Sequence, residues 1–258
     1  MGRRGEGVPS AAAVIAAAGT GERLGAQAPK ALVGLAGRPM LEWSLRAFAA
    51  AEEVTAAVVA APPGSEEELR DAVTAPDGLE LRVVAGGPSR SQSVAAALAA
   101  VNQETTFVAV HDAARPLVTR ELIDELIAKL AGRPDAAGVI AAAPLTDTVK
   151  RAREPRPRRG EIARGGPTIA RTESRDHLWS AQTPQVFRTA ALIDAMTASP
   201  QRLAEATDDA WLVEKDGGKV LIHPAPPENL KVTTPFELRV AELLLAERSS
   251  RGDRTFGP

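Results

Sequence analysis

Short apolar runs alternate with amphipathic segments along most of the chain. A continuous apolar run is typical of a strand buried on both faces, and an apolar stripe at helical spacing is typical of a helix that covers a sheet. The apolar runs begin at Val14 and continue over Thr55–Ala61, Leu81–Val84, Phe107–Val110, Ala136–Ala142 and Lys219–His223. The helical stripes cover Pro39–Ala50, Ser65–Val73, Ser89–Ala100, Thr119–Leu130, Thr189–Met196, Thr207–Glu214 and Thr234–Arg248. The alternation predicts an α/β fold with a Rossmann-like, mainly parallel sheet covered by helices on both faces.

Capping signals mark the starts of several predicted helices. Ser65 with Glu68, and Thr234 with Glu237, have the spacing of a capping box, and the proline after Thr234 suits the first helical position. Thr119 is a further candidate cap, as are the polar residues 207–209. A short extended piece over Asn229–Val232 is expected just before the last helix.

The pattern changes between Pro144 and Asp176, where the chain is polar and rich in arginine. Short strand-like pieces lie at Thr148–Arg151, Ile162–Ala163 and Thr168–Arg171. The segment is too long for a plain connection, so we predict an extended two-stranded β-arm. Such an arm has little apolar surface of its own, which predicts that it rests on a second subunit. Arginines 153, 156, 158, 159 and 164 favour a solvated tip, with polyanion binding as the alternative.

Length and composition bound the remaining possibilities. The chain has 258 residues, and we expect one domain over residues 11–247, a disordered lead over 1–10 and a tail over 248–258. The net charge of −2 argues against a nucleic-acid partner, and no apolar run approaches the ~20 residues of a membrane span. The chain has no cysteine and only three scattered histidines, so no dedicated metal centre is expected. A cytoplasmic protein is the default expectation.

The first strand leads into a stretch with the properties of a phosphate-binding loop. Gly19 and Gly21 let the backbone approach a ligand closely, while Arg23 and Lys30 supply positive charge. The spacing does not fit a Rossmann fingerprint, because Leu24 occupies the place of its third glycine. It does not fit a Walker loop either, because Lys30 follows a proline.

The loop resembles the signature of the sugar-nucleotidyltransferase superfamily. The matching positions are Ala17, Ala18, Gly19, Gly21, Arg23, Leu24, Pro29 and Lys30. Five later segments resemble, in the correct order, those of 2-C-methyl-D-erythritol 4-phosphate cytidylyltransferases: Val110–Pro116, Asp147–Arg151, Leu178–Gln185, Thr207–Ala210 and Asn229–Thr233. The resemblance covers nearly the whole chain.

The resemblance implies a homodimeric enzyme that transfers a cytidylyl group from CTP to methylerythritol phosphate and releases pyrophosphate. It implies Mg²⁺ or another divalent cation, held mainly by the CTP phosphates and water. It implies catalytic roles for Arg23, Lys30 and Lys231, and nucleotide contacts from Ala17, Ala18, Gly19, Gly21, Gly87 and Ser93. The substrate contacts that it implies are Asp112, Arg115, Thr148, Arg175, Thr183 and Thr207.

Two of these positions have alternative interpretations, and one neighbouring residue departs from the family pattern. Asp112 is expected to present an exposed carboxylate to substrate hydroxyls, and otherwise to cap a helix or pair with Arg115. Thr207 is explained equally well as a helix cap. Pro88 departs from the family pattern, because a proline has no N–H to offer to a base.

Two other functions remain open at this point. The nucleotide half of the site would serve a ribitol 5-phosphate cytidylyltransferase almost unchanged. A non-catalytic nucleotide sensor on the same fold is the second, although a pure binder has no need of three cations that stabilise a transition state.

Overall fold

One sheet of seven strands organises the described part of this computed structural model, which covers residues 10–19, 21, 24, 29–153 and 166–250. The described strands are β1 (Ala11–Ala16), β2 (Gly34–Leu35), β3 (Arg38–Pro39), β4 (Val54–Ala61), β5 (Glu80–Ala85), β6 (Phe107–Asp112), β7 (Gly138–Pro144), β8 (Lys150–Arg153), β9 (Thr168–Thr172), β10 (Trp179–Arg188) and β11 (Val220–Pro224). The order of strands in the main sheet is β11-β7-β10-β6-β1-β4-β5.

Eight α-helices lie in the described part of the chain, and a short 3₁₀ turn covers Lys30–Leu32. They are α1 (Met40–Ala50), α2 (Glu66–Ala72), α3 (Arg90–Leu98), α4 (Arg120–Ala131), α5 (Thr189–Met196), α6 (Pro200–Glu205), α7 (Asp209–Lys215) and α8 (Pro235–Ser250). None of the helices described is long and apolar enough to cross a membrane.

The two faces of the sheet carry separate apolar cores, as the continuous runs predicted. Ile15 of β1 packs in one core together with Leu45 of α1 and Leu126 of α4. Its neighbour Val14 packs in the other, with Val94 of α3. Successive side chains of a strand point to opposite faces, so a run that is apolar at every position requires cover on both. The predicted α/β fold is confirmed.

Strand β10 is the exception to the parallel arrangement, since it runs antiparallel to both β6 and β7. The chain leaves the sheet at Pro144, forms the arm, and returns at Trp179, which pairs directly with Pro144. The described residues between the two strands form the arm and include no helix that crosses the sheet, and the returning strand runs in the opposite direction.

The arm is an antiparallel pair of β8 and β9, in which every residue is exposed. It confirms the predicted two-stranded shape, with the first strand two residues later than expected. Residues 162–163, the predicted middle strand, lie outside the described residues, as do arginines 156, 158, 159 and 164 of the tip. Residues 1–9 of the predicted lead and 251–258 of the predicted tail also lie outside them, whereas residues 248–250, predicted as tail, belong to α8.

The capping predictions met different outcomes. Thr234 and Glu237 form the expected capping box, in which the Thr234 N–H donates to Glu237 Oε2 at 2.7 Å and the Glu237 N–H donates to Thr234 Oγ1 at 3.3 Å. The Thr119 hydroxyl also caps α4. The prediction of a capping box at Ser65 is wrong. The backbone of Ser65 lies at φ −111° and ψ 16°, and its side chain makes no capping hydrogen bond. Thr207 is not the cap of α7, because Asp208 takes that place.

The sequence pattern did not indicate α6 or the hairpin of β2 and β3. The hairpin turns at Ala36 and Gly37, which have φ values of 47° and 82°. Residues 229–232, predicted as a short extended piece, lie outside the described strands. Their backbone is nevertheless fixed, since the Val232 N–H donates to Ala114 O at 2.8 Å.

Candidate active site

A cavity of about 510 Å³ opens at the carboxyl ends of β1 and β6. Ligands of open α/β sheets bind at this edge. The cavity brings together nine of the predicted site residues: Ala17, Ala18, Gly19, Gly21, Lys30, Gly87, Ser93, Asp112 and Lys231. Arg115, Thr148, Arg175, Thr183 and Thr207 are not part of its lining, and Arg23 lies outside the described residues.

The loop after β1 forms one wall of this cavity. Gly21 has a φ of 76°, a conformation that side chains with a Cβ rarely adopt. The Lys30 N–H donates to Gly19 O at 3.1 Å, which ties the lysine backbone to the glycine-rich segment. Both residues line the cavity, so backbone and positive charge share one wall.

The turn at Gly86 and Gly87 forms a second wall and depends on close packing. A Cβ on Gly86 would lie 2.9 Å from Ala61 O, and one on Gly87 would lie 2.6 Å from the Gln92 Cβ. The Ser93 hydroxyl accepts from the Gly87 N–H at 3.1 Å and donates to Ser89 O at 2.9 Å. Ser93 therefore fixes the turn, and its predicted contact with a nucleotide base remains a prediction.

Asp112 holds two cations at the centre of the site. Its Oδ1 accepts from Arg90 Nε at 2.8 Å, and its Oδ2 accepts from Lys231 Nζ at 2.7 Å. The residue is only 7% exposed, so the expectation of an exposed carboxylate is wrong. Burial alone would raise the pKa of the Asp112 carboxyl, but the Arg90 and Lys231 cations outweigh it and hold that pKa well below its usual range.

Arg115 does not pair with Asp112, contrary to the alternative. Its Nη1 donates to Asn229 O at 2.8 Å instead. The Asn229 side chain in turn donates to Gln182 Oε1 at 2.8 Å and to Thr183 O at 2.9 Å. Arg115 and Asn229 thus anchor the segment that presents Lys231.

A buried hydrogen-bond chain fixes the backbone at the end of β6. The Asp112 N–H donates to Thr183 Oγ1 at 3.0 Å, and Thr183 Oγ1 lies 3.1 Å from His111 Nδ1. His111 Nε2 lies 3.2 Å from Arg115 O, a carbonyl that can only accept, so we assign the proton to Nε2. The Thr183 hydroxyl then donates to Nδ1, which leaves no hydroxyl proton for a substrate phosphate.

Acidification is expected to destabilise the fold through His111. Burial, the largest cause, lowers the pKa of His111 from 6.5 to about 3, against the opposing effect of Asp112. Below pH 6.5 the unfolded chain therefore binds a proton that the folded chain does not. The free energy of unfolding should fall by about 1.4 kcal/mol per pH unit from this group, a loss that begins near pH 6.5.

Urea unfolding of the wild type and of His111→Gln at pH 7 and pH 5 measures this loss. His177→Gln, at an exposed position, is the matched control and should keep the full pH dependence. A pH dependence of equal size in His111→Gln would contradict the assignment.

The remaining predicted substrate residues lie on exposed segments. Thr148 and Arg175 belong to the arm or its root, and Arg175 Nη1 donates to Thr146 O. Thr207 is exposed just before α7. Within one chain, these three residues lie outside the cavity lining.

The family model for 2-C-methyl-D-erythritol 4-phosphate cytidylyltransferase matches residues 11–247. The chain belongs to this family. The enzyme of the same name from Streptomyces coelicolor is 44% identical over 240 residues, which cover 92% of this chain and 85% of the relative. The enzyme from Frankia casuarinae is 44% identical over 239 residues, with 92% and 82% covered. These relatives do not favour the ribitol 5-phosphate alternative or the sensor.

Solved structures of the family share the fold. The crystal structure of the cytidylyltransferase from Thermus thermophilus is 32% identical with a TM-score of 0.66, and covers 90% of this chain and 97% of that one. The structure of 4-diphosphocytidyl-2C-methyl-D-erythritol synthase from Anaerococcus prevotii is 26% identical with a TM-score of 0.75, and covers 92% and 96%. This chain is a cytidylyltransferase of the non-mevalonate isoprenoid pathway.

Sequence reasoning missed two charged residues of this family member's site. Arg90 lines the cavity, and Asp209 pairs with it at 2.8 Å from a fully buried position. The signal for Arg90 was its place directly after the Gly-Gly-Pro-Ser turn. No comparable signal in the sequence placed Asp209 at the site, because an acidic residue beside Asp208 suggests only a helix cap.

Proposed function

We propose that this cavity is the site of the family reaction. The enzyme transfers a cytidylyl group from CTP to 2-C-methyl-D-erythritol 4-phosphate, giving 4-diphosphocytidyl-2-C-methyl-D-erythritol and pyrophosphate. The observation that carries the assignment is the convergence of Lys30 and Lys231 on one cavity at the carboxyl edge of the sheet. Two cations from distant parts of the chain suit a reaction between two anions.

In this proposal the triphosphate of CTP lies along the loop after β1. A phosphate oxygen of methylerythritol phosphate attacks the α-phosphorus of CTP, the new P–O bond forms, and the bond to the β-phosphate oxygen breaks as pyrophosphate leaves. Lys30, Lys231 and Arg23 stabilise the negative charge on the reacting phosphorus. The backbone N–H groups of Gly19 and Gly21 and the turn at Gly87 hold the nucleotide, and Ser93 supports that turn.

The family resemblance, together with the contacts described above, supports the following roles for the substrate residues. Asp112 orients Lys231 and offers its remaining lone pairs to the substrate hydroxyls. Arg115 and Thr183 act on the substrate pocket through the backbone that they anchor. Thr148, Arg175 and Thr207 complete the polyol and phosphate contacts.

A divalent cation fits this site only as a partner of the nucleotide. No cluster of three or more potential metal-ligating side chains occurs in the described residues, and both oxygens of Asp112 already accept from cations. Mg²⁺ would therefore be held mainly by the CTP phosphates and by water, which suits its preference for few protein ligands. When bound, it neutralises charge on the phosphates.

We also propose a cytoplasmic homodimer in which the arm crosses to the partner subunit. Support comes from the exposure of apolar side chains near its root and along it. Ile169 on β9 is 67% exposed, while Leu178 and Trp179 at its root are 37% and 38% exposed. An apolar surface on a thin two-stranded arm requires cover.

Pyrophosphate release tests the proposed reaction. The protein is incubated with Mg²⁺ and either CTP or UTP, together with methylerythritol phosphate or ribitol 5-phosphate. Release is expected with CTP and methylerythritol phosphate. A higher kcat/KM with ribitol 5-phosphate, or no release with any pair, would overturn the proposal.

A further inference from the structure

Four alternating charges form a continuous chain from the protein interior to the cavity. Asp209 Oδ2 accepts from Arg90 Nη1 at 2.8 Å, and Arg90 Nε donates to Asp112 Oδ1 at 2.8 Å. Asp112 Oδ2 then accepts from Lys231 Nζ at 2.7 Å. The Asp209 side chain is 0% exposed at the inner end, and the Lys231 side chain is 42% exposed at the cavity end.

Arg90 determines how Asp112 can hold Lys231. Because the guanidinium occupies Oδ1, only Oδ2 is available to the ammonium of Lys231. The guanidinium is also planar and rigid, so two of its nitrogens fix the position of Asp112 relative to Asp209. Burial alone would lower the pKa of Arg90, but Asp209 and Asp112 outweigh it and raise that pKa above its usual value, which keeps the cation in place.

Asp209, the inner end of this series of charges, is held in place by hydrogen bonds at the start of its helix. Asp209 is the first residue of α7, and the start of this helix is bonded to β10 through Gln185. Gln185 Nε2 donates to Asp208 Oδ2 at 2.9 Å, and Gln185 Oε1 accepts from the Ala210 N–H at 3.1 Å. Gln185 itself is buried. The carboxylate of Asp209 therefore has little freedom to move away from Arg90.

We infer that Arg90 and Asp209 are positioning residues for Lys231, acting through Asp112. The inference rests on the proposed function, since that function gives Lys231 its place at the reacting phosphorus. Asp209 is fully buried and is not part of the cavity lining, so it cannot touch CTP or the polyol phosphate. Without that negative charge, the guanidinium of Arg90 is drawn to the carboxylate of Asp112, competes with Lys231 for it, and displaces the ammonium.

Asp209→Asn tests this, because it keeps the shape of the side chain and an acceptor for Arg90 but removes the charge. We expect kcat to fall about tenfold or more, with the KM for CTP changed less than about threefold, since the lost effect belongs to the transition state. Asp216→Asn is the matched control: it removes the same charge from a partly exposed ion pair with Arg202, directly after the other end of α7. A kcat within twofold of wild type in Asp209→Asn, or an equal fall in the control, would overturn the inference.

A double-mutant cycle separates positioning from a loss of structure. In an Arg90→Met background, adding Asp209→Asn should cost no further kcat, because the link is already broken. If Asp209→Asn alone fails to fold, the comparison of Arg90→Met with the double variant still tests the link. The double variant leaves no buried charge without its partner. A further loss in that background would contradict the link through Arg90.

A crystal structure of Asp209→Asn provides a readout that needs no turnover. The expected result is a longer distance between Lys231 Nζ and Asp112 Oδ2 than the 2.7 Å of the wild type. An unchanged distance would overturn the inference. If the wild type itself releases no pyrophosphate, the proposed function fails, while this distance still reports on the position of Lys231.

Discussion

Replacing Lys30 by alanine is expected to lower kcat by about 10²-fold or more, the usual cost of removing a group that stabilises transition-state charge. Lys30 lines the cavity, and its backbone N–H is bonded to Gly19 O at 3.1 Å, so its ammonium is delivered from a fixed point. Pyrophosphate release under saturating CTP and methylerythritol phosphate measures the effect. The folded structure should be retained, because the substitution removes a cation from a cavity wall and leaves the apolar core unchanged.

Two further variants serve as controls for Lys30→Ala. Lys219→Ala removes a lysine whose partner is the exposed Asp135. It should leave kcat within about twofold of wild type, since surface ion pairs contribute little to the stability of the fold. Lys30→Arg keeps the charge on a different shape and should recover part of the loss. A near-normal kcat in Lys30→Ala, with circular dichroism unchanged, would remove Lys30 from the mechanism.

The parts of the fold that depend on local pattern were predictable from the sequence. The run that contains Val14 and Ile15 could only be a strand with cover on both faces, and the structure places these neighbours in opposite cores. The capping box of Thr234 and Glu237 was equally local, since both bonds join residues within one helical turn. Ser65 shows the limit, because the same spacing occurs there without the backbone conformation that a cap needs.

The site was predictable only in part, for a related reason. The glycine-rich loop and Lys30 are close in sequence, so one stretch revealed both. The environment of Asp112 depends instead on Arg90 and Lys231, which come from separate segments and are brought to it by the fold. Asp209 and Arg90 lie 119 residues apart, and no local pattern relates them. A buried ion pair of this kind becomes visible only in the tertiary structure.

The second large effect that we expect is the rescue of one inactive variant by another. Thr148 and Arg175 are exposed and lie outside the cavity lining of their own chain, yet the family resemblance places both with the substrate. The proposed dimer reconciles these two statements, because an arm that crosses to the partner would bring Arg175 to the partner's cavity. Each active site would then combine Lys30 of one chain with Arg175 of the other.

Mixing equal amounts of Lys30→Ala and Arg175→Ala chains tests this arrangement. If subunits exchange freely, half of the dimers are mixed, and each mixed dimer has one site with both residues intact, so about a quarter of wild-type activity should return. Lys30→Ala mixed with Lys231→Ala is the matched control. Both of those lysines line the cavity of the same chain, so no mixed dimer holds an intact site and no activity should return. A monomer in sedimentation, or equal activity in the two mixtures after confirmed exchange, would rule out a site shared between subunits.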